Sequence, residues 1–466
     1  MGVGSSRNHP TVITKCTSPP YCIKLVGSRH VLIGGGGGAS KTGVSNEIQT
    51  VLLTYGQIDR WNDALNKSSL SLRGVVTSVL ETGPYATMNM DVVCIGNPES
   101  GRYLIAAGHD QYCYFYLSNG FSIAEVDGEN NVPTLNFEEV CKIVSDKKPT
   151  NSYQKTVKFD KTIPGQPHFL VTAGAEGVLR IWDVSTQNLV KGGQPIKLRL
   201  ELPAIHEGSI DEVDISPDGC TLLSLGASDG NVCFWDVLSG KKLTILPSVP
   251  GFSNDHRVRS AQFTNLNSAN IVFVVAYNQK KRTSKSKSYL SLWAFNREKL
   301  ACKLILLRMA CSELISTMTI SDCGNFTAIG TLSGSVGVYD THEMRAIYFA
   351  QETHSIFVTG TILVFPAMNN DNSYGTVQFL PKVANDVAGS DINGQPNQNY
   401  ETRKRPTIPG IASHLSVAVT SVSADQTVQL HSVPRRLQPS FMLFILFIIL
   451  YFLWYLAREW TNKSFS

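Results

Sequence analysis

The chain has 466 residues, of which 42% are hydrophobic and 17% are charged, and its formal net charge at pH 7 is +4. A dedicated DNA-binding domain usually carries a dense basic face, so this small charge argues against one. Ten cysteines are scattered along the chain without a Cys-x-x-Cys pair, which argues against a zinc site and is typical of a protein from a reducing compartment.

The first distinctive segment is a run of five glycines that is followed by Ala39, Ser40, Lys41 and Thr42. A phosphate-binding loop needs a glycine directly before its lysine, and Ser40 stands at that position. Such a loop also needs a helix after it, because the helix N-terminus helps to hold the phosphates. The apolar segments around the run predict β-strands instead, at residues 22–26, 31–33 and 50–53. We therefore expect a long loop within a β-sheet.

Four roles stay open for this loop when only its residues are considered. It could be a flexible connection, although ordering so many glycines costs much entropy. It could be a nest of backbone N–H groups that binds an anion. It could be a cation site, in which backbone carbonyl oxygens converge and Ser40 and Asn46 add side-chain oxygens. It could also be a projecting segment that enters a crevice of a partner protein.

A short pattern then recurs along the chain: a turn with Asp or Gly, an alternating strand, an aromatic residue and often Asp. Clear copies end at Trp182, Trp235 and Tyr339, and weaker copies lie at residues 109–116, 289–293 and 424–431. Apolar segments that predict strands precede these copies, at residues 103–107, 169–172, 221–225, 271–276, 326–329 and 415–420. This pattern is typical of an all-β WD-repeat β-propeller. Six copies and the N-terminal segment with the glycine run predict seven blades, with six as the alternative.

The polar residues of the clearest repeat could be mistaken for a catalytic group. His206, Asp229 and Trp235 are expected instead to hydrogen-bond within their blade, because polar groups buried between strands need partners. We find no Ser/His/Asp, metal or paired-carboxylate pattern beyond these, so no covalent chemistry is predicted.

Three irregular insertions are predicted in the propeller, at about residues 120–152, 280–288 and 367–412. The second is rich in Lys and Arg, separates the last strands of the fifth blade and is expected to be a solvated loop. Alternatives for it are contact with anionic lipid headgroups or a nuclear import signal. The third has few large apolar residues and is predicted to be a disordered excursion of the seventh blade.

Residues 441–457 read FMLFILFIILYFLWYLA and contain no charge. Seventeen residues are at the short end of what spans a bilayer, so a single transmembrane helix is predicted here, and a buried core helix is the alternative. The first thirty residues lack a long apolar segment, so no signal peptide is expected. Residues 1–434 are therefore predicted to lie in the cytosol and residues 458–466 to form a short lumenal tail, an orientation that Arg435 and Arg436 also favour.

The string GGGGASKTGVSN, from Gly35 to Asn46, together with the C-terminal anchor, resembles the family of the prolactin regulatory element-binding protein. Further matches lie at residues 86–89, 106–110, 334–336 and 354–359. The resemblance covers nearly the whole propeller and the anchor. Members of this family are membrane-anchored WD-repeat exchange factors for the Sar-type small GTPase of the endoplasmic reticulum.

The resemblance implies a guanine nucleotide exchange factor that loads GTP on that GTPase and so starts assembly of the COPII vesicle coat for transport to the Golgi. It implies a single-pass type II protein of the endoplasmic reticulum membrane, with its propeller facing the cytosol. It implies no small-molecule substrate and favours no nucleic-acid partner. A DNA-binding transcriptional regulator, as the family name suggests, and a passive membrane-tethered scaffold are the alternatives.

In that family the first-blade loop binds potassium and contacts the GTPase. Carried over to this sequence, the exchange loop comprises Gly34, Gly35, Gly36, Gly37, Gly38, Ala39, Ser40, Lys41, Thr42, Gly43 and Asn46. The resemblance implies that the carbonyl groups of Ala39, Lys41 and Gly43, supported by the side chain of Asn46, hold a potassium ion. The three insertions depart from the family pattern.

Overall fold

The computed structural model describes residues 10–27, 29–39, 43–57, 70–97, 100–126, 129–191, 193–202, 206–252, 255–266, 270–280, 286–363, 415–434 and 444–455. Strands within these ranges form seven four-stranded antiparallel sheets. The seven predicted blades are therefore confirmed.

Strand β1 (Thr11–Lys15) belongs to the last blade. The strands of the first four blades are β2 (Pro20–Val26), β3 (His30–Gly35), β4 (Glu47–Gln57), β5 (Leu70–Glu81), β6 (Asn89–Cys94), β7 (Tyr103–His109), β8 (Tyr112–Val126), β9 (Glu129–Val144), β10 (Gln154–Phe159), β11 (Phe169–Gly174), β12 (Leu179–Val184), β13 (Ile196–Leu202), β14 (Ile210–Ile215), β15 (Thr221–Gly226), β16 (Val232–Asp236) and β17 (Lys242–Ile245). The others are β18 (His256–Thr264), β19 (Ile271–Gln279), β20 (Ser288–Asn296), β21 (Ala301–Cys311), β22 (Ile315–Ile320), β23 (Phe326–Thr331), β24 (Val336–Asp340), β25 (Arg345–Ala350), β26 (Val358–Leu363), β27 (Leu415–Ser423) and β28 (Thr427–Pro434). A short helix, α1 (Thr186–Lys191), precedes β13, and residues 444–455 form a second helix, α2.

Each of the first six blades consists of four consecutive strands, from β2–β5 to β22–β25. The first strand of each blade contacts the first strands of both neighbouring blades, which closes the ring. The seventh blade joins β26, β27 and β28 to the N-terminal strand β1, with Thr11 opposite Leu430 and Lys15 opposite Thr427. The two ends of the ring are therefore held in one sheet.

The hydrophobic core lies in layers between neighbouring blades, because alternate side chains of a strand point to opposite faces of its sheet. In β8, Phe115 packs with Leu170 of the third blade. The next residue, Tyr116, packs with Leu32 and Ile48 of the first blade. The apolar segments predicted as strands from the repeat pattern are strands, and each lies in the second strand of its blade.

The prediction of an irregular insertion at residues 120–152 was wrong. Most of it belongs to the long strands β8 and β9, whose pairing extends from Tyr112 opposite Val144 to Val126 opposite Glu129. Two alternating segments flank an Asp-Gly dipeptide at positions 127 and 128, which is a strong hairpin signal, although those two residues lie outside the described part of the chain.

The Lys-rich insertion lies between β19 and β20, the second and third strands of the fifth blade, and not between its last strands. Its residues 281–285 lie outside the described residues, and the predicted excursion at 367–412 lies wholly outside them. Because neighbouring strands are antiparallel, the connections after the second and the fourth strand of every blade lie on one face of the ring. This face, called the loop face below, carries both the β3–β4 and the β19–β20 connections.

The predicted membrane span at residues 441–457 is described only in part, as helix α2, and the tail at 458–466 lies outside the described residues. Every side chain of residues 444–455 is exposed. Within the parts of the chain that the structure describes, we find no helix with both the length and the apolar character needed to cross a membrane.

Candidate functional site

The glycine run leaves strand β3 after Gly35 and the chain enters strand β4 at Glu47, which stands opposite Gly35 in the sheet. Gly34 is likewise paired, with Ile48. The first two glycines, predicted as loop residues, are therefore strand residues, because the β3–β4 ladder extends two residues further than the apolar pattern. Ser40, Lys41 and Thr42 lie outside the described residues.

The glycines at the base of the loop are needed because other groups approach their backbone closely. A Cβ atom on Gly35 would lie 2.2 Å from the carbonyl oxygen of Pro19. A Cβ atom on Gly36 would lie 2.2 Å from Oδ1 of Asn46. Both distances are far below normal contact, so a side chain at either position would push the loop away from its support.

Two glycines further along the loop are needed for their backbone conformation. Gly38 has a φ of +73° and Gly43 a φ of +77°, and a Cβ atom at either position would meet open space. Residues with side chains adopt this left-handed region only at an energetic cost. Gly35 is thus needed for close approach and Gly38 and Gly43 for their backbone conformation, whereas Gly36, with a φ of +137°, is needed for both.

Asn46 fixes the described part of the loop with three hydrogen bonds. The backbone N–H of Gly38 donates to Oδ1 of Asn46 at 2.8 Å, and Nδ2 of Asn46 donates to the carbonyl oxygen of Gly38 at 3.2 Å. The same Nδ2 donates to the carbonyl oxygen of Gly83 at 3.0 Å. The loop is thus anchored to the connection between the first and second blades.

Three backbone hydrogen bonds complete this anchoring. Gly36 N–H donates to Pro19 at 3.1 Å, Thr82 N–H donates to Asn46 at 3.0 Å, and Thr87 N–H donates to Gly35 at 3.2 Å. Sequence reasoning missed these supports. The connection at residues 82–88 leads into strand β6, and only the tertiary structure brings it beside the glycine run.

A thiol also lies at the base of the loop. Sγ of Cys22 lies 3.8 Å from the carbonyl oxygen of Gly34 and 3.5 Å from that of Thr87. Burial raises the pKa of Cys22 to about 12, so the thiol is protonated at neutral pH. It therefore packs against the loop and offers no reactive thiolate.

The donor atoms predicted for potassium are all oxygens, which is the chemistry that a hard cation prefers. Ala39 and Gly43 are described, whereas the third carbonyl donor, on Lys41, lies outside the described residues. Oδ1 of Asn46 already accepts the hydrogen bond from Gly38, and an amide oxygen has a second lone pair available. The residues present fit such an ion in type. Within the described ranges, no group of three or more His, Cys, Asp or Glu side chains is placed to bind a metal.

The polar residues of the fourth blade form a structural network, as expected. Nδ1 of His206 lies 3.0 Å from Asp229, and Nε2 of His206 lies 2.8 Å from Oγ of Ser224. Nε1 of Trp235 donates to the same Oγ at 2.9 Å. These bonds link the segment before β14 to the second and third strands of the blade. The network therefore holds the sheet together.

The seventh blade contains a second network of this kind that the sequence reasoning did not identify. His354 lies 3.2 Å from Asp425 and 2.8 Å from Oγ of Ser421. That Oγ also lies 2.8 Å from Nε2 of His431, which takes the place of the tryptophan. The separation of His354 from its partners by the long insertion hides this network in the sequence.

A polar cavity of about 790 Å³ lies at the inner strands on the loop face, where Gln154, Asp211 and Arg257 contribute to its wall. No described residue of the glycine loop lines it. Ala39 and Gly43 of the glycine loop are exposed, so this part of the loop is accessible to another protein.

Comparison with known proteins shows what the chain is similar to. The model of the WD domain, G-beta repeat, matches residues 201–236. The guanine nucleotide-exchange factor SEC12 of Rattus norvegicus is 27% identical, and that of Mus musculus is 26% identical, each over 92% of this chain and 92% of the relative. Among solved structures, Chaetomium thermophilum Sqt1 bound to the N-terminus of the ribosomal protein L10 aligns with 14% identity and a TM-score of 0.47, over 74% of this chain and 78% of that chain. The chain is thus similar over nearly its whole length to guanine nucleotide-exchange factors named SEC12, in agreement with the resemblance found in its sequence.

Proposed function

We propose that this chain is a guanine nucleotide exchange factor for a Sar-type small GTPase at the endoplasmic reticulum, where it starts COPII coat assembly. The observation that carries the proposal is a glycine loop whose stem is held by Asn46, Thr82 and Thr87, while Ala39 and Gly43 are exposed. The relatives named as exchange factors, which match over 92% of the chain, support it.

The mechanism is one of competition between two binding partners of the GTPase. A small GTPase holds GDP through Mg²⁺, a phosphate loop and ordered switch segments. A protein that binds the nucleotide-free form best must, by thermodynamic linkage, weaken nucleotide binding. The propeller supplies a rigid platform, and the bonds of Asn46 order the loop before it meets the GTPase. No residue needs to break a covalent bond.

Potassium is proposed as the ion that the loop binds, through the carbonyl groups of Ala39, Lys41 and Gly43 and the side chain of Asn46. A bound cation would supply positive charge, which allows several carbonyl oxygens of the loop to lie close together. The residues of the loop would present oxygen atoms to the ion. The glycines at positive φ already set the turn of the loop that holds these atoms.

The membrane anchor is proposed at residues 441–457, with the propeller of residues 1–434 in the cytosol and residues 458–466 in the lumen. The exposed apolar side chains of residues 444–455 support this, because a helix that exposes apolar side chains along its length is favoured in an apolar environment. All strands of the closed ring lie between Thr11 and Pro434.

Release of a fluorescent GDP analogue from a Sar-type GTPase tests the proposal. Residues 1–434 should accelerate release, and more strongly in potassium than in sodium. Binding of the GTPase without accelerated release would support the passive scaffold instead. Retention of duplex DNA that weakens with salt, without accelerated release, would support the DNA-binding alternative.

A further inference from the structure

A row of tyrosines leads from the core to the surface beside the glycine loop. Tyr112, Tyr114 and Tyr116 alternate along β8 and therefore point to the same side of the sheet, toward the first blade. Tyr116 is only 3% exposed, whereas Tyr114 and Tyr112 are half-buried. The rings of Tyr114 and Tyr116 are stacked at 6.3 Å between centroids, and those of Tyr112 and Tyr114 meet edge to face at 6.2 Å.

Three further side chains extend this row. Half-buried Tyr85 lies 6.2 Å from the ring of Tyr112 and 6.0 Å from that of Tyr114. Lys142, which stands opposite Tyr114 in the sheet, places Nζ 5.3 Å and 5.4 Å from the centroids of Tyr112 and Tyr114. Val144, opposite Tyr112, is 43% exposed. We call the surface formed by Tyr85, Tyr112, Tyr114, Lys142 and Val144 the tyrosine step.

The tyrosine step is physically continuous with the glycine loop. Thr87 donates its N–H to Gly35 at 3.2 Å, and its Oγ1 lies 3.3 Å from Nε2 of His109. The ring of His109 is stacked on that of Tyr114 at 5.0 Å between centroids. Tyr85 also belongs to the same connection as Gly83, which accepts a hydrogen bond from Asn46. The loop and the step are therefore held in a fixed relation.

The composition of the tyrosine step is that of a binding surface. Tyrosines are enriched among the residues that contribute most to interfaces, since they bury a large apolar area with few rotatable bonds. The ammonium group of Lys142 has no carboxylate within 4 Å among the residues that the structure describes. The step thus presents aromatic surface and one cation side by side, which complements an apolar side chain beside a carboxylate.

We propose that the tyrosine step is the docking part of the GTPase-binding surface. It would bind an apolar side chain of the GTPase, with a neighbouring carboxylate facing Lys142, and so position the glycine loop at the nucleotide site. This rests on the proposed exchange function. Docking and nucleotide release then belong to two adjacent groups of residues, which predicts that they can be altered separately.

The test measures release of a fluorescent GDP analogue by the full-length protein in detergent micelles, over a range of Sar-type GTPase concentrations. The variants are Tyr112→Ala and Lys142→Glu. Tyr112→Phe retains the ring and serves as the conservative variant. The matched controls lie outside the step: Tyr153→Ala removes an exposed tyrosine that also has a lysine over its ring, and Lys303→Glu reverses the charge of another exposed lysine on a strand.

We expect Tyr112→Ala and Lys142→Glu to raise the half-saturating GTPase concentration at least tenfold while the maximal release rate stays within twofold. Tyr112→Phe and both controls should behave like the unmodified protein. Lys142 is exposed, so its variant should fold even if Tyr112→Ala does not. Accelerated release by the unmodified protein with an unchanged half-saturating concentration for Lys142→Glu would overturn the docking proposal alone. No acceleration by the unmodified protein would overturn the exchange function and the docking proposal together.

Discussion

The side chain of Asn46 and the backbone of Gly38 exchange two hydrogen bonds, as paired residues of neighbouring strands do. Gly38 N–H donates to Oδ1 at 2.8 Å, and Nδ2 donates to the Gly38 carbonyl oxygen at 3.2 Å. The amide group thereby continues the pairing of β3 and β4 beyond the last backbone ladder at Gly35 and Glu47. It leaves Ala39 and Gly43 at the surface while fixing the turn that precedes them.

The first prediction concerns Asn46 itself. Asn46→Ala should reduce stimulated GDP release at least tenfold, because the loop loses the hydrogen bonds that Asn46 makes to Gly38 and Gly83. The free energy of unfolding should fall by only about 1 kcal/mol. Asn46→Asp retains the acceptor for Gly38 N–H but loses both donors, so it should lie between. Asn136→Ala, which removes one exposed hydrogen bond to Ser122 elsewhere, is the control. Equal release by Asn46→Ala and the control would refute this role.

The second prediction separates the two reasons for glycine in the loop. Gly35→Ala should destabilise the propeller by about 2 kcal/mol or more, because the new methyl group would lie 2.2 Å from the Pro19 oxygen. Gly38→Ala should cost only about 1 kcal/mol, for its positive φ, yet slow GDP release. Gly251→Ala, also at positive φ with open space, controls for backbone cost. Equal destabilisation by Gly35→Ala and Gly38→Ala in urea unfolding would contradict the distinction.

The third prediction concerns the network around His206. His206→Ala should lower the free energy of unfolding by roughly 2 kcal/mol, since it removes two hydrogen bonds of a buried network, to Asp229 and to Ser224. The release rate per folded molecule should not change, as the residue holds a blade together and does not act on the nucleotide. Calorimetry and GDP release on the same samples check both parts. A folded variant with slowed release would show that the network does more than stabilise the sheet.

The fourth prediction is a pH dependence of stability from His109. Burial lowers the pKa of His109 from 6.5 to about 4. Between these values the unfolded chain binds the proton and the folded chain does not, so stability is complete above pH 6.5 and falls as the pH drops. Because of His109, the free energy of unfolding should be about 2 kcal/mol lower at pH 5 than at pH 8. In urea unfolding at pH 5 and pH 8, the free energy of unfolding of His109→Gln should change by that amount less than that of the unmodified protein. An equal change in both proteins would show that His109 does not cause the pH dependence.

The repeated strands could be predicted because alternation along a buried strand is a local pattern. Turn residues and terminal aromatic residues also recur locally, as at Trp182 and Trp235. The β8–β9 hairpin was missed, although its Asp-Gly dipeptide and the buried positions Leu135 and Phe137 carried a signal. Long strands that extend past the usual blade length do not fit the repeat, so the repeat itself concealed them.

The site was predictable in composition but not in its supports. The glycine run and Asn46 stand out in the sequence, whereas the contacts of Gly35 with Pro19 and Thr87 depend on how blades pack. The tyrosine step joins residues of a connection, a third strand and a fourth strand. Such contacts arise from register and blade packing, which no local pattern specifies.

The most direct measurement compares GDP release by the intact chain with release by a variant that lacks residues 36–42. A matched control lacks residues 281–285, from the β19–β20 connection on the same face of the propeller. The deletion of 36–42 should leave the propeller folded and abolish accelerated release from the Sar-type GTPase, whereas the control should retain it. Release by the folded 36–42 deletion at the rate of the intact chain would contradict the central claim that the glycine loop displaces the nucleotide.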